Sequence, residues 1–418
     1  IVSCTIAASL PRNYQTWSPE PNMKPISHIA KTVPASGIRK FFDIVSQMDD
    51  VISLGVGEPD FVTPWRIREA CIYSLEKGYT NYTSNYGLLE LRKHISTYLN
   101  ERWGLHYNPE NQILVTVGVS EGLDLAMRAI LNPGEEVLIP EPSYVSYKPC
   151  VLFAGGVPVP LGTTPESGFK VTPEQIAAAV TPRTKALLIS YPSNPTGATI
   201  SREELQAIVD VAREHDLFII SDEIYDRLTY EGHHTAVPEL NGAYERTILL
   251  NGFSKAYAMT GWRIAYAAST PDVIEAMMKI HQYTMLCAPI MSQMAAIEAI
   301  KNCGRECDEM AEEYNRRRRL IVAGLNNIGL DCTIPGGAFY AFPSIKKTGL
   351  TSEEFSERLL FEEKVAVVPG NAFGECGEGY IRCSYATGID QIKIALERME
   401  RFVENLGVEG RLKAAGRE

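Results

Sequence analysis

A short apolar run, Ile113–Val117, leads into GVSEG, Gly118 to Gly122, and then into a helical pattern. Small residues at such a junction let backbone N–H groups at a helix N-terminus face an anion, so the segment is a candidate phosphate cradle. A plain glycine turn between strand and helix is the alternative. Three more runs end in reactive residue types. Ala186–Ser190 leads into YPSNPTG, Tyr191 to Gly197, where prolines and glycine make a loop and Asn194 adds an amide able to donate to a phenolate oxygen. Leu217–Ser221 leads into Asp222, Glu223, Ile224 and Tyr225, an acid that could equally cap a helix and a tyrosine that could equally pack. Thr247–Leu250 leads into NGFSKAYAMTGWR, which sets Lys255 after Ser254 and Arg263 eight residues later; a lone lysine is ordinarily a solvated surface charge.

The elements that carry these residues repeat one pattern. The runs already named, with Glu136–Ile139 and Ile264–Ala267, alternate with amphipathic stretches such as Glu121–Ala129, Arg202–His215 and Asp272–Met278. Ser201-Arg-Glu-Glu opens one of these as a capping box. Strands alternating with helices predict an α/β fold with a mainly parallel, seven-stranded-type sheet covered on both faces. In such sheets ligands bind beyond the carboxyl ends of the strands, where the residues above fall. From Pro289 the texture changes to a long charged helix over Met291–Ile328, short strands near Ala338–Phe342, Val365–Val368 and Tyr380–Ser384, and a last helix over Asp390–Asn405. The expected division is a large domain over 62–300, a smaller α+β domain built from 23–61 and 301–408, an extension over 1–22, disordered or artefactual, and a tail over 409–418.

Bulk properties narrow the classes. The 418 residues carry 40 Lys+Arg against 51 Asp+Glu, a net charge of −11 that disfavours a nucleic-acid partner. No run is apolar enough for a membrane span. The nine cysteines are scattered without zinc-like pairing, including Cys303 and Cys307 one helical turn apart, and read as free thiols of a cytoplasmic protein, with no metal site.

The order and spacing of NPTG, SDEIY and SKAYAMTGWR resemble those of the class I aminotransferases, enzymes of fold type I that use pyridoxal 5'-phosphate (PLP). The resemblance runs from about Pro25 to Leu406. It implies a Schiff base on Lys255, which also carries a proton between the substrate and the cofactor. It implies Asp222 on the pyridine nitrogen and Tyr225 and Asn194 on the ring oxygen. Ser254, Arg263 and the segment Val119–Ser120–Glu121 would hold the phosphate, and Tyr144 of PEPSYVSY would stack on the ring. Arg382 of GYIRCSYA would bind the substrate α-carboxylate, with Gly57 of SLGVGEPDF closing over it. Tyr82 of NYTSNYGLLELR would reach the phosphate of a neighbouring subunit, making a homodimer with shared sites. The peptide bonds before Pro142 and Pro195 would be cis.

Amino transfer from an L-amino acid to a 2-oxo acid, with 2-oxoglutarate the usual acceptor, is the implied reaction. The strings SGIRKF, MTGWRI and HQYTMLCAP look most like a bacterial branch that includes aspartate, aromatic and N-acetyl-diaminopimelate aminotransferases. Bacterial aspartate enzymes of this group often carry a lysine where this chain has Ser120, and Arg39 is a candidate for the missing charge. Two rivals share the motifs: a PLP-dependent carbon–sulfur β-lyase of the cystathionine type, and a non-catalytic PLP-binding regulator, which the acidic charge disfavours.

Overall fold

The computed structural model describes residues 24–34 and 48–414, with side chains described through residue 407. Residues 1–22 and Arg39, both subjects of expectations above, lie outside the described residues. Residues 24–34 belong to a unit of their own and hold one short exposed helix, His28–Thr32.

The strands of the remaining unit are β1 (Ile52–Ser53), β2 (Ile113–Thr116), β3 (Glu136–Glu141), β4 (Val157–Gly162), β5 (Thr184–Ile189), β6 (Phe218–Asp222), β7 (Thr247–Gly252), β8 (Ala265–Ala268), β9 (Tyr340–Ala341), β10 (Val365–Ala366), β11 (Val368–Pro369) and β12 (Ile381–Ser384). Seven of them form one sheet in the order β2-β8-β7-β6-β5-β3-β4, in which β8 alone runs against the rest. The mainly parallel seven-stranded sheet read from the sequence is therefore present. Both faces are buried. Leu114, Val137, Ile139, Leu188, Ile220, Ile248 and Leu250 pack against helices Val119–Ile130, Tyr147–Phe153 and Pro271–Thr284. Their alternating neighbours face the opposite way: Leu138, Leu187 and Ile219 toward helix Arg202–Glu214, and Ile113, Val115 and Leu249 toward helices Leu89–Trp103 and Ile290–Asn302. Burial on both faces is why these strands read as continuous apolar runs.

The capping box at Ser201 forms as expected, with Ser201 Oγ accepting the Glu204 N–H and the Glu204 carboxylate accepting the Ser201 N–H. Three expectations need correction. The helix read across Met291–Ile328 is two helices, Ile290–Asn302 and Gly304–Ile328, because the backbone turns at Cys303, just before Gly304. The strand read over Val365–Val368 is two strands, β10 pairing with β1 and β11 with β12. The last helix runs on from Ile389 to Ala414, its final turns rich in good helix formers and free of proline. Cys303 and Cys307 are buried in the apolar cluster beneath helix Leu89–Trp103.

β9, β12 and β11 form a small antiparallel sheet, with the pair β1–β10 beside it. Ser384 donates its N–H to Leu54 O at 2.6 Å, which ties the segment Leu54–Gly57 to β12.

Candidate active site

Because β2, β3, β5, β6 and β7 point the same way and β8 points back, the segments after the first five and the segment leading into β8 open on one edge of the large sheet. That single fact brings together residues as far apart in sequence as Gly118, Tyr144, Asn194, Asp222, Lys255 and Arg263.

Lys255 is the centre. Its ammonium donates to Gly57 O at 2.6 Å, with the Phe339 ring 5.6 Å and the Tyr225 ring 6.0 Å away. Burial lowers its pKa to about 8, and the positive charges of Arg382 and Arg263 push the same way. Asp222 lies at the end of β6, fully enclosed. Burial raises its pKa to about 6, against the opposing hydrogen bonds from the Tyr147 hydroxyl (2.8 Å) and the Ile224 N–H (3.3 Å). A carboxylate so desolvated is most comfortable beside a cationic N–H partner. Tyr225 shares a hydrogen bond of 2.7 Å with the Tyr340 hydroxyl. Burial pushes the Tyr225 pKa well up, so it stays a phenol able to donate.

The glycine junction has the form of an anion cradle. Gly118 caps the helix Val119–Ile130 at φ +82, and the first intrahelical bonds come from the Glu121 and Gly122 N–H groups to Gly118 O, leaving those of Val119 and Ser120 outside the ladder. Arg263, itself at φ +51 and anchored to Thr260 O at 3.0 Å, lies so close over Gly118 that a Cβ there would run into its Nη2. Ser254 is buried on the same edge, just before Lys255. Gly118→Ala is therefore expected to displace the Arg263 guanidinium and to weaken binding of a phosphate-bearing cofactor by about tenfold, the equivalent of roughly 1.4 kcal/mol. Titration of the cofactor into the ligand-free protein measures this, with circular dichroism as the check on folding.

Arg382, from β12, is wholly buried, and burial lowers its pKa. It donates to Asn194 Oδ1 (2.9 Å) and Gly55 O (2.6 Å), and lies over the Tyr340 and Phe373 rings at 4.5 and 4.8 Å. Its Nε has no partner. A buried guanidinium with a spare N–H fits a bidentate carboxylate. Because Asn194 turns its oxygen to Arg382, its amide hydrogens face elsewhere and remain free to donate. Tyr144 is half-buried, edge-on to Tyr147 at 5.6 Å, and Gly57 leaves no room for a Cβ beside the Tyr340 hydroxyl. Tyr82 stands apart, 82% exposed. The peptide bonds before Pro142, Pro192 and Pro195 are cis.

Sequence reading missed Tyr147, Tyr340 and Phe339. Tyr147 lay inside the string quoted for Tyr144, and only its contact with a residue 75 positions away sets it apart.

The residues present fit PLP. Two free amides and an arginine suit its phosphate, an enclosed acid suits its ring nitrogen, a phenol and an amide suit its ring oxygen, and a partly deprotonated lysine suits its aldehyde. Residues 49–399 match the family described as aminotransferase class I and II. The putative aminotransferase YugH of Bacillus subtilis is 56% identical over 378 residues, covering 90% of this chain and 98% of that protein. The aspartate aminotransferase of Pyrococcus abyssi is 47% identical over 374 residues, covering 89% of this chain and 96% of the relative. Among solved structures, the aromatic aminotransferase of Pyrococcus horikoshii superposes with a TM-score of 0.84 at 45% identity, over 87% of this chain and 99% of that one. The chain belongs to the class I and II aminotransferases, and its cofactor is pyridoxal 5'-phosphate.

Proposed function

We propose that this enzyme moves an amino group from an L-amino acid to a 2-oxo acid, 2-oxoglutarate being the acceptor, in two half-reactions at one site. The observation that carries the reading is the enclosed Lys255 amine, with its pKa lowered to about 8, on the same sheet edge as the enclosed acid Asp222. Bound PLP supplies the aldehyde that links to an amine and the ring that accepts an electron pair. The protein does the rest. Lys255 takes the proton from the substrate α carbon and returns it at the cofactor. Asp222 keeps the pyridine nitrogen protonated, and Tyr225 and Asn194 hold the ring oxygen. The segment Val119–Ser120–Glu121, through the free amides of Val119 and Ser120, holds the phosphate with Ser254 and Arg263. Tyr144 stacks on the ring, Arg382 clamps the α-carboxylate, and Gly57 closes over it. In this reading residues 62–300 bind the cofactor and a smaller domain from 23–61 and 301–408 bears the carboxylate clamp.

The working unit is a homodimer. Tyr82, Tyr283, Met285 and Leu286 are exposed, and Asn85 Nδ2 donates to Leu286 O at 2.8 Å, so the two loops share a surface. An apolar surface of this kind suits a second copy, whose phosphate site Tyr82 would complete. The cytoplasm is its compartment in this reading. All eight described cysteines are free, and among the described residues no helix is long and apolar enough to cross a membrane.

The test is the visible spectrum of the purified protein before and after single L-amino acids are added without any oxo acid. Bleaching of the yellow band supports amino transfer and ranks the donors. Persistence of the colour while pyruvate and ammonia accumulate would instead establish a β-lyase. A second expectation concerns loading. Only the neutral amine attacks an aldehyde, so the rate at which ligand-free protein takes up PLP should rise with pH through about 8 and level off above it, as stopped-flow absorbance can follow. A midpoint near the usual lysine value would mean that Lys255 is not the group that reacts.

A further inference from the structure

A carboxylate stands where the cradle should be wholly positive. Glu121 is in the first turn of the helix Val119–Ile130, whose free N–H groups and neighbouring Arg263 make the anion pocket. A negative side chain there competes with a phosphate for the same amides and repels it. Glu121 is held in another pose. Its Oε2 accepts the N–H of Val117, before the glycine turn, and its Oε1 lies 2.7 Å from His281 Nδ1. His281 comes from the helix Pro271–Thr284, which packs against the cradle helix, and its side chain is completely buried. The other ring nitrogen, Nε2, is buried with no partner. Burying an imidazole with one nitrogen unsatisfied is unfavourable, and the contact it does make is with Glu121.

We propose that His281 is a positioning residue for the cofactor phosphate: by donating from Nδ1 to Glu121 it keeps that carboxylate folded back over the Val117–Gly118 turn and out of the anion pocket. Without the imidazole, Glu121 keeps one restraint, the Val117 N–H, and its carboxylate is free to swing toward the Val119 and Ser120 amides at the high effective concentration of an attached group. The cost then falls on the phosphate and not on the ring or aldehyde of the cofactor. The inference rests on the PLP reading above.

The experiment compares PLP with pyridoxal, which lacks the phosphate, by spectral titration of the ligand-free protein. His281→Leu is expected to raise the dissociation constant for PLP about tenfold to a hundredfold, the range set by one lost hydrogen bond to a charged group, and to leave pyridoxal binding unchanged. Adding Glu121→Gln to that variant removes the charge and should restore PLP binding to within a few-fold of the parent. His281→Asn, which still offers a side-chain N–H, should lose less than the leucine variant. Equal weakening of PLP and pyridoxal, or no recovery in the double variant, would reduce His281 to a packing residue and overturn the proposal. Should His281→Leu not fold, Glu121→Gln alone decides the matter: it should bind PLP at least as tightly as the parent, and weaker binding would sink the idea. A parent protein that takes up no PLP would refute the functional reading itself, a result separate from all of these.

Discussion

Lys255→Ala should retain PLP through its phosphate and ring contacts yet lose amino transfer by at least about 10²–10⁴-fold, the usual contribution of one positioned proton-transfer group. On the proposed mechanism the variant removes two functions at once, the covalent anchor and the proton carrier. The carboxylates that act on the Lys255 amine are both engaged, Glu58 by the Thr260 hydroxyl. The Lys255 Nζ has the Gly57 carbonyl and the rings of Tyr225 and Phe339 around it, and Asp222 is committed to Tyr147 and the Ile224 N–H. The phosphate cradle, built on Gly118 and Arg263, is untouched, so affinity should fall far less than turnover. Single-turnover bleaching of the variant by the best donor measures the loss, and equilibrium dialysis measures the retained affinity. Turnover within tenfold of the parent would remove Lys255 from the centre of the mechanism.

Arg382→Leu is expected to raise KM for every amino acid and every oxo acid tested, lowering kcat/KM by about 30-fold to a few thousand-fold. That range corresponds to roughly 2–5 kcal/mol for truncating one partner of a buried, hydrogen-bonded charge pair. Part of the cost is already visible without substrate, because the Asn194 oxygen and the Gly55 carbonyl would both lose their donor. A loss of binding shared between ground state and transition state appears mainly in KM, whereas misplacement of the α carbon appears in kcat. Thermal melting of the variant separates either effect from a failure to fold. Unaltered KM across donors and acceptors would return Arg382 to a structural role.

Much of this was legible because burial on both faces writes a strand as an apolar run, and the residue after the run falls on the reactive edge. Asp222 and Lys255 drew notice that way, and the resemblance then implied their roles. β4 was not, since Pro158 and Pro160 break any strand pattern; they are tolerated because β4 is the last strand of its sheet. β1 was missed as well, a two-residue strand whose pairing with β10 spans more than three hundred positions. Within the site, the residues overlooked are tyrosines and a phenylalanine. Tyr340 sits in GGAFYAF, where an aromatic in a strand is ordinary, and only the folded chain sets its hydroxyl against Tyr225 and Gly57. The break at Cys303 was passed over although Asn302 and Gly304, which flank it, are poor helix formers, because the helical pattern resumes directly on either side.

The held pose of Arg382 has a kinetic consequence. Its guanidinium is braced by an amide, a carbonyl and two aromatic faces before any substrate arrives, so it greets each incoming α-carboxylate in the same way. In the proposed cycle an amino acid and an oxo acid use this one berth in alternation. Each therefore obstructs the form of the enzyme that awaits the other, and an excess of either acid should slow the cycle that it feeds. A braced clamp makes such traffic control a property of relative concentrations, and leaves the choice among donors to whatever surrounds the rest of the substrate.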